Sequence, residues 1–344
     1  MSRLQTNRTD LTGTDTYAEI GRFVFKRYYH IIISILVSII AVISVFTLFD
    51  KECIAGPKSS VIEKITELVG NKFEEQYKKA GFTTMPDYIS LRVYKTNGIL
   101  EVWGGTNRTD PLKRIASYDV CAMDFLPGTK IMQGDERTPE GSYELTFINS
   151  SKNWWMHVNL SADHLDDPGN VKKDPAFYVC TDYPNAFDKA VSKSTGAKSP
   201  GSGICIHGNC VSAGCVSMKN HDWIEIYYWL SRHNTELYGK PRAHILPFQY
   251  YTSCKNRIIN TAANLYIHPK HPLCPTKYYQ QIHRLASPET YNGDDMVFVK
   301  YTMERLGSDV ILKLWEHIAK REMLFLTNPT PENAELQMSL DILK

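Results

Sequence analysis

Residues 31–49, IIISILVSIIAVISVFTLF, are nineteen consecutive positions without a charge. At roughly 1.5 Å per residue, a helix of that length just crosses a hydrocarbon core of about 30 Å. A secretory signal carries a shorter apolar run, roughly 7–15 residues, nearer the start of the chain. Here thirty residues precede the run and no small-x-small cleavage site follows it. A core helix would carry a polar stripe, which this run lacks. The expectation is an uncleaved anchor that divides the chain between two compartments. Lysines and arginines close to the span balance, and Arg3 and Arg8 tip the count towards an N-terminus on the cytoplasmic side. The expected layout is a cytoplasmic tail over 1–30, a transmembrane helix over 31–49 and the rest of the chain outside.

The remainder reads as a globular body. A formal charge of +2 over 344 residues provides no basic field for nucleic acid. Eight cysteines suit an exported body. Cys254 and Cys274, around the Pro-rich HPKHPLCP, are the first candidates for a disulfide, although spacing alone does not fix a pairing. Over 50–85, Ser60-x-x-Glu63 has the form of a capping box ahead of Val61, Ile65, Leu68, Val69 and Phe73. It predicts one membrane-proximal helix of about twenty residues, stopping near Gly81.

From Pro86 the texture becomes β. Two runs rich in β-formers meet at Thr96-Asn97-Gly98, a strong hairpin signal. The runs KRIASYDVCAM, GSYELTFI, WWMHVNL, AFYVCT and GICIHG follow, separated by turn residues. The fold class expected is mainly β over 86–250, with flanking helices. Over 251–344 a helical extension is expected. In it Ser308 caps a segment whose Ile311, Leu314, Trp315 and Ile318 share a face, and the end after Pro329 is polar and poorly ordered.

Chemistry concentrates in IHGNCVSAGCVSM, residues 206–218. Cys205, His207, Cys210 and Cys215 supply a Cys₃His set, but a strand through GICIHG cannot wrap one ion without distortion. A disulfide from Cys205 or Cys210 to a distant cysteine stays open, as does a structural loop with a satisfied histidine. A thiol nucleophile is the third reading. A cysteine near pKa 8.5 needs a base beside it, and His207 could face Cys215 across the loop. Gly214 lets the backbone bend, so that the amides of Gly214 and Cys215 could hold an oxyanion. A helix starting near Cys215, capped by Asn220 or Asp222, would favour the thiolate.

The form H-G-x-C-x-S-x-G-C resembles the signature of the L,D-transpeptidase catalytic domain, the YkuD domain, and in particular its YafK-like murein branch. Three stretches agree in order: PDYISLRVYKTNGILEVW with the opening hairpin, GDERTPEGSY with the G-D-x-x-T-P-E-G-x-Y turn, and DYPNAFDKA with the Y-P-N-x-x-D segment. Together they cover about residues 86–220. The resemblance implies Cys215 as nucleophile, His207 as base and the Gly208 main-chain carbonyl as the group that orients the imidazole. Ser212 and Ala213 line the same turn. Thr138, Tyr183, Asn185 and His157 are implied supporting residues, with Asn185 bonding main chain near the loop. Ala213 and Ser217 depart from the histidine and arginine common in the wider family. The implied activity is acyl transfer on peptidoglycan stem peptides at meso-diaminopimelate, without metal or organic cofactor. The YafK-like branch implies an amidase releasing wall-linked lipoprotein, and the wider family implies a transpeptidase. An inactive wall-binding module is the alternative of another class. The loop Asp163, His164, Asp166 and Asp167 reads as a solvated turn rather than a cation site.

Overall fold

The computed structural model describes residues 56–57, 59–107, 110–148, 158, 160, 177–247, 249 and 305–343. The chain divides into two units, Met1–Cys53 and Ile54–Lys344, and all described residues belong to the second. The expected span over 31–49, the pair Cys254 and Cys274, Trp154, Trp155, His157 and the Asp163–Asp167 loop lie outside the described residues. Among the described residues no helix is long and apolar enough to cross a membrane.

Among the described residues two helices come first, α1 (Ser59–Val69) and α2 (Lys72–Lys79). The single twenty-residue helix expected here is corrected. Gly70 takes φ +59° and its N–H closes on Thr66 O at 2.9 Å, so the chain leaves helical geometry at a residue that tolerates it. Ser60 lies inside α1, not at its cap. The apolar face is nonetheless the expected one, with Val61, Ile65 and Phe73 buried.

Among the described residues eight strands then close into a barrel: β1 (Tyr88–Tyr94), β2 (Ile99–Gly105), β3 (Lys113–Ala122), β4 (Gly141–Ile148), β5 (Tyr178–Thr181), β6 (Cys205–His207), β7 (Val216–Met218) and β8 (Arg242–Leu246). Their order around the barrel is β1-β2-β3-β7-β6-β5-β4-β8. β1 and β2 form the expected antiparallel hairpin, with Tyr94 opposite Ile99 and Gly98 at φ +61° in the turn. β6 and β7 run parallel, as do β1 and β8. Helix α3 (Ala186–Ser194) bridges β5 and β6, while α4 (Asn220–Ser231) and the short α5 (Thr235–Tyr238) bridge β7 and β8.

The strand pattern follows from what covers each face. Along β1, Ile89, Leu91 and Val93 join the main apolar cluster with Tyr143, Leu145, Ile206, Val216 and Ile245. Its alternate residues Ser90, Arg92 and Tyr94 are buried too, so this strand is covered on both sides. Helix α4 adds Trp223, Tyr227 and Trp229, all fully buried, with the Trp223 indole N–H on Phe177 O at 2.9 Å.

The C-terminal helix α6 (Ser308–Thr327) buries Ile311, Leu314, Trp315 and Ile318 in a second cluster with Tyr94, Ile131, Phe187 and Leu246. Gly307, rather than Ser308, is its cap residue. Glu322 of α6 pairs with Arg92 of β1, both buried, and Tyr94 Oη donates to Glu322 Oε1 at 3.1 Å. The expectation of a poorly ordered end after Pro329 is corrected. Residues Pro331–Ala334 form α7, Leu336 is fully buried, and its N–H donates to Ser142 Oγ at 3.0 Å.

Candidate active site

The candidate site is carried by the two shortest strands of the barrel. In the parallel β6–β7 pair, Ile206 faces Val216 and His207 faces Ser217. Side chains alternate along a strand, so Ile206 and Val216 point into the apolar core. Carried back one residue, the register sets Cys215 beside Cys205. That places Cys215, just before β7, on the His207 side of the pair, and Cys215 too is buried in the main apolar cluster. A rise of roughly 3.3 Å per residue and a strand spacing of about 4.8 Å separate the Cα atoms of Cys215 and His207 by about 8 Å, a gap that a thiol and an imidazole can close.

His207 is fully buried and its Nδ1 lies 2.6 Å from the Gly208 carbonyl oxygen. A carbonyl only accepts, so Nδ1 is the donor, and in the neutral ring Nε2 holds the lone pair. The same carbonyl accepts from Ser217 Oγ at 2.9 Å. Burial pulls the His207 pKa down to about 4, with the Gly208 carbonyl opposing that shift. The imidazole is therefore neutral, and a proton acceptor, at neutral pH. Gly208 admits no side chain, because a Cβ there would stand 2.4 Å from Asn220 Oδ1 and 2.7 Å from Val158.

Cys215 is buried and is the free cysteine among the described residues. Cys210 is bonded to Cys121 on β3, and Cys205 to Cys180 on β5. Two sulfurs of the Cys₃His set are thus disulfide-bonded rather than thiolate ligands, which removes the metal reading of this loop. Cys215 Sγ accepts from the Cys205 N–H at 3.4 Å, and its thiol reaches the Gly203 carbonyl at 3.6 Å. Burial pushes the thiol above its ordinary pKa, while the Cys205 N–H and the charge of Lys130 oppose that. The expected helix start at Cys215 is corrected: β7 intervenes, and α4 begins only at Asn220. Ionisation of this sulfur depends on a base, not on a helix dipole.

The loop between the strands is held by side-chain hydroxyls. Thr138 Oγ1 donates to the Gly214 carbonyl at 3.0 Å and accepts from the Asp124 N–H at 3.1 Å. Ser212 Oγ accepts from the Gly214 N–H at 3.0 Å and donates to the Cys215 carbonyl at 2.7 Å. The expectation that Gly214 supplies an oxyanion amide is corrected, since its N–H is committed to Ser212. The Gly214–Cys215 peptide is different. Thr138 holds its carbonyl, and in a trans peptide the Cys215 N–H points the opposite way. Gly214 has φ +113°, and a Cβ would lie 2.7 Å from the Arg137 carbonyl, so the tight approach of the two loops requires glycine.

The other expected residues separate into near and far. Ala213 is exposed on the loop. Tyr183 Oη donates to Pro200 O at 3.0 Å, bracing the segment that leads to Gly203. Asn185 does not bond the loop. It caps α3, accepting from the N–H groups of Phe187 at 2.9 Å and Asp188 at 3.1 Å. Asn220, expected as a helix cap, instead accepts the Asn209 N–H at 2.7 Å and braces the turn after His207. What sequence reasoning missed is how Ser217 and Asn220 brace the turn, through Gly208 O and the Asn209 N–H. Their only signal was position, within five residues after the Gly-Cys pair.

Residues 120–243 match the family model described as YkuD, L,D-transpeptidase catalytic domain. A curated relative named provisionally as an L,D-transpeptidase, YafK of Escherichia coli (strain K12), is 24% identical over 165 residues, 47% of this chain and 54% of its own. Its counterpart in Escherichia coli O157:H7 matches to the same extent. The chain therefore spans about half the length of the curated relatives it matches. Two solved structures show a distant likeness: Bd1075 of Bdellovibrio bacteriovorus, 18% identical, TM-score 0.32, covering 53% of this chain and 59% of that one; and a variant of the helical cell shape determining protein Pgp2 from Campylobacter jejuni, 17% identical, TM-score 0.31, covering 71% and 78%. Likeness at those scores bears on nothing further here. The family model and the shared motifs agree on the same segment: residues 120–243 are similar to the L,D-transpeptidase catalytic domain of the YkuD family.

Proposed function

We propose that this protein is a cysteine acyl-transfer enzyme of the bacterial cell wall, acting on peptidoglycan stem peptides at meso-diaminopimelate. The observation that carries the reading is an unbridged Cys215 whose sulfur meets β6 at the Cys205 N–H, two residues from a neutral His207 whose Nδ1 is committed to Gly208 O. His207 Nε2 takes the thiol proton as Cys215 Sγ attacks the carbonyl carbon. The Cys215 amide faces the developing oxyanion. As the carbon–nitrogen bond breaks, the leaving amine takes the proton from His207, and a thioester remains. Water or an amine then attacks that thioester, giving its proton to His207, and the Cys215 thiol is regenerated.

The lead reading is hydrolysis, an amidase that frees lipoprotein or another protein from the wall. Its support is the short H-G-x-C-x-S-x-G-C loop, which resembles the YafK-like branch. The second reading, transpeptidation to 3–3 crosslinks or to wall-attached protein, is favoured by the matched family's description. The proposed setting is the periplasmic face of the inner membrane, with 31–49 as the anchor, 86–250 as the catalytic body and 251–344 as a helical extension. His157 is carried as a proposed supporting residue.

Released muropeptides analysed by mass spectrometry, wild type against Cys215→Ala, test this reading. The variant is expected to fall at least about 10⁴-fold, to background. Wild type that depletes protein-linked stems is an amidase, and wild type that accumulates 3–3 dimers is a transpeptidase. Unchanged wall chemistry in Cys215→Ala would leave only a wall-binding module.

A further inference from the structure

The strand order β5-β6-β7 places three cysteines in one row. Cys180 on β5 is the register partner of Cys205 on β6, and the two are disulfide-bonded. Carried one residue back from Ile206 opposite Val216, the β6–β7 register sets Cys215 on the other side of Cys205. Side-chain contacts agree. The Cys205 N–H donates to Cys215 Sγ at 3.4 Å, and the Gly203 carbonyl oxygen lies 3.5 Å from Cys205 Sγ and 3.6 Å from Cys215 Sγ. Adjacent strands stand about 4.8 Å apart, within the roughly 4.4–6.8 Å between Cα atoms that a disulfide spans. The central sulfur of the row therefore has its present partner on one flank and a free thiol on the other. Thiol–disulfide exchange proceeds by attack of a thiolate on one sulfur while the other sulfur leaves.

We propose that the nucleophile of this site is reversibly capped by its own fold, through exchange of the Cys180–Cys205 disulfide for a Cys205–Cys215 disulfide. Cys215 gives its proton to His207, and its sulfur attacks Cys205 Sγ. The Cys205–Cys180 bond breaks, and Cys180 departs as a thiolate that takes up the proton. One disulfide is lost and one is formed, so neither oxidant nor reductant enters the balance. The capped form cannot be acylated. It also keeps the sulfur off the path to sulfinic and sulfonic acids, which a free catalytic thiolate in an oxidising compartment otherwise follows. Cys180, only partly buried, becomes the free thiol. The idea deepens the proposed function because it regulates the same sulfur, but it is read by peptide masses and not by turnover.

The test uses the full chain without reductant under nitrogen, incubated at pH 8, quenched in acid and labelled with N-ethylmaleimide before digestion and mass spectrometry. Wild type is expected to lose label at Cys215 and gain it at Cys180 mole for mole, with a Cys205–Cys215 linked peptide appearing. In Cys215→Ser, Cys180 stays unlabelled. In the Cys180→Ala/Cys205→Ala double variant, Cys215 stays labelled throughout, which shows that the thiol is reachable in a chain lacking that disulfide. Dithiothreitol followed by reoxidation restores label at Cys215. Absence of the Cys205–Cys215 peptide, Cys180 labelling that persists in Cys215→Ser, or Cys215 joined instead to Cys53, Cys254 or Cys274 overturns the proposal. A Cys215→Ser enzyme that still turned over wall fragments would sink the catalytic reading and leave the mapping result intact.

Discussion

The barrel is held in two contrasting ways on two of its faces. Where α6 lies on β1, precision comes from burial: Ile311, Leu314, Trp315 and Ile318 exclude water, and Arg92 and Glu322 pair inside the seal. Around β6 and β7 the strands are three residues each, too short for burial alone to fix them. There the constraints are two disulfides and single bonds from Thr138, Ser212, Ser217 and Asn220 to named main-chain atoms. An apolar face tolerates small shifts. A main-chain carbonyl held by one hydroxyl fixes one peptide plane, which is what orienting an imidazole or aiming an amide requires.

The largest expected break in this contrast is at the buried pair. Glu322→Ala leaves the Arg92 guanidinium uncompensated under α6, and breaking a buried pair this way costs about 3–5 kcal/mol. The denaturant midpoint falls accordingly. If the two faces are separable, the rate at which iodoacetamide alkylates Cys215 in the folded variant, measured well below its melting temperature, stays at the wild-type value. A parallel fall in alkylation would show that α6 also shapes the site.

The two faces differed in how far the sequence exposed them. The loop was legible because its chemistry is local: His207, Gly208, Gly214 and Cys215 lie within nine positions. The apolar period of α6 was legible for the same reason. The partner of that face was not, because Arg92 and Glu322 are 230 positions apart and neither carries a local signature. The disulfides close over 89 and 25 positions, and spacing does not determine such pairings. Asn185 and Asn220 show the limit from the other side. Both read as residues that accept an amide hydrogen, and which amide each accepts depends on where the barrel closes. The tail after Pro329 read as polar, yet Leu336 and Ile342 are buried, because the surface that receives them comes from distant strands.

Acid titration sharpens the comparison, since it acts on the β6–β7 face through His207. An unfolded histidine takes its proton near 6.5, and buried His207 takes it at about 4. Between those values the unfolded chain binds a proton that the folded chain does not. The contribution of His207 is therefore fully present above about 6.5 and is lost as pH falls towards about 4, by about 3 kcal/mol in all. Asp188 works in the opposite direction. Burial raises its carboxyl to about 7, so its contribution weakens as pH rises from 3.8 through about 7. The informative quantity is the stability difference between wild type and His207→Gln at each pH. It is expected to favour the variant progressively below about 6.5, and a flat difference would mean that the imidazole is not buried neutral.

The smallest expected effect is the most diagnostic, because it separates aiming a peptide from folding a loop. Thr138 lies in a turn where Lys95, fully buried, donates to the Thr138 carbonyl at 2.8 Å, so the residue stays in place when its hydroxyl is removed. Thr138→Val keeps the shape but releases the Gly214 carbonyl, and with it the aim of the Cys215 N–H. Loss of a direct oxyanion donor lowers turnover by about 10²–10³, so loosening one through its peptide is expected to lower acylation by about 10- to 100-fold. Alkylation by iodoacetamide forms no oxyanion and needs only the thiolate, so its rate is expected to hold. Thr138→Ser restores the hydroxyl and is expected to recover acylation. Equal losses in both reactions would make Thr138 a folding residue, and no loss in either would remove its hydroxyl from the proposed chemistry altogether.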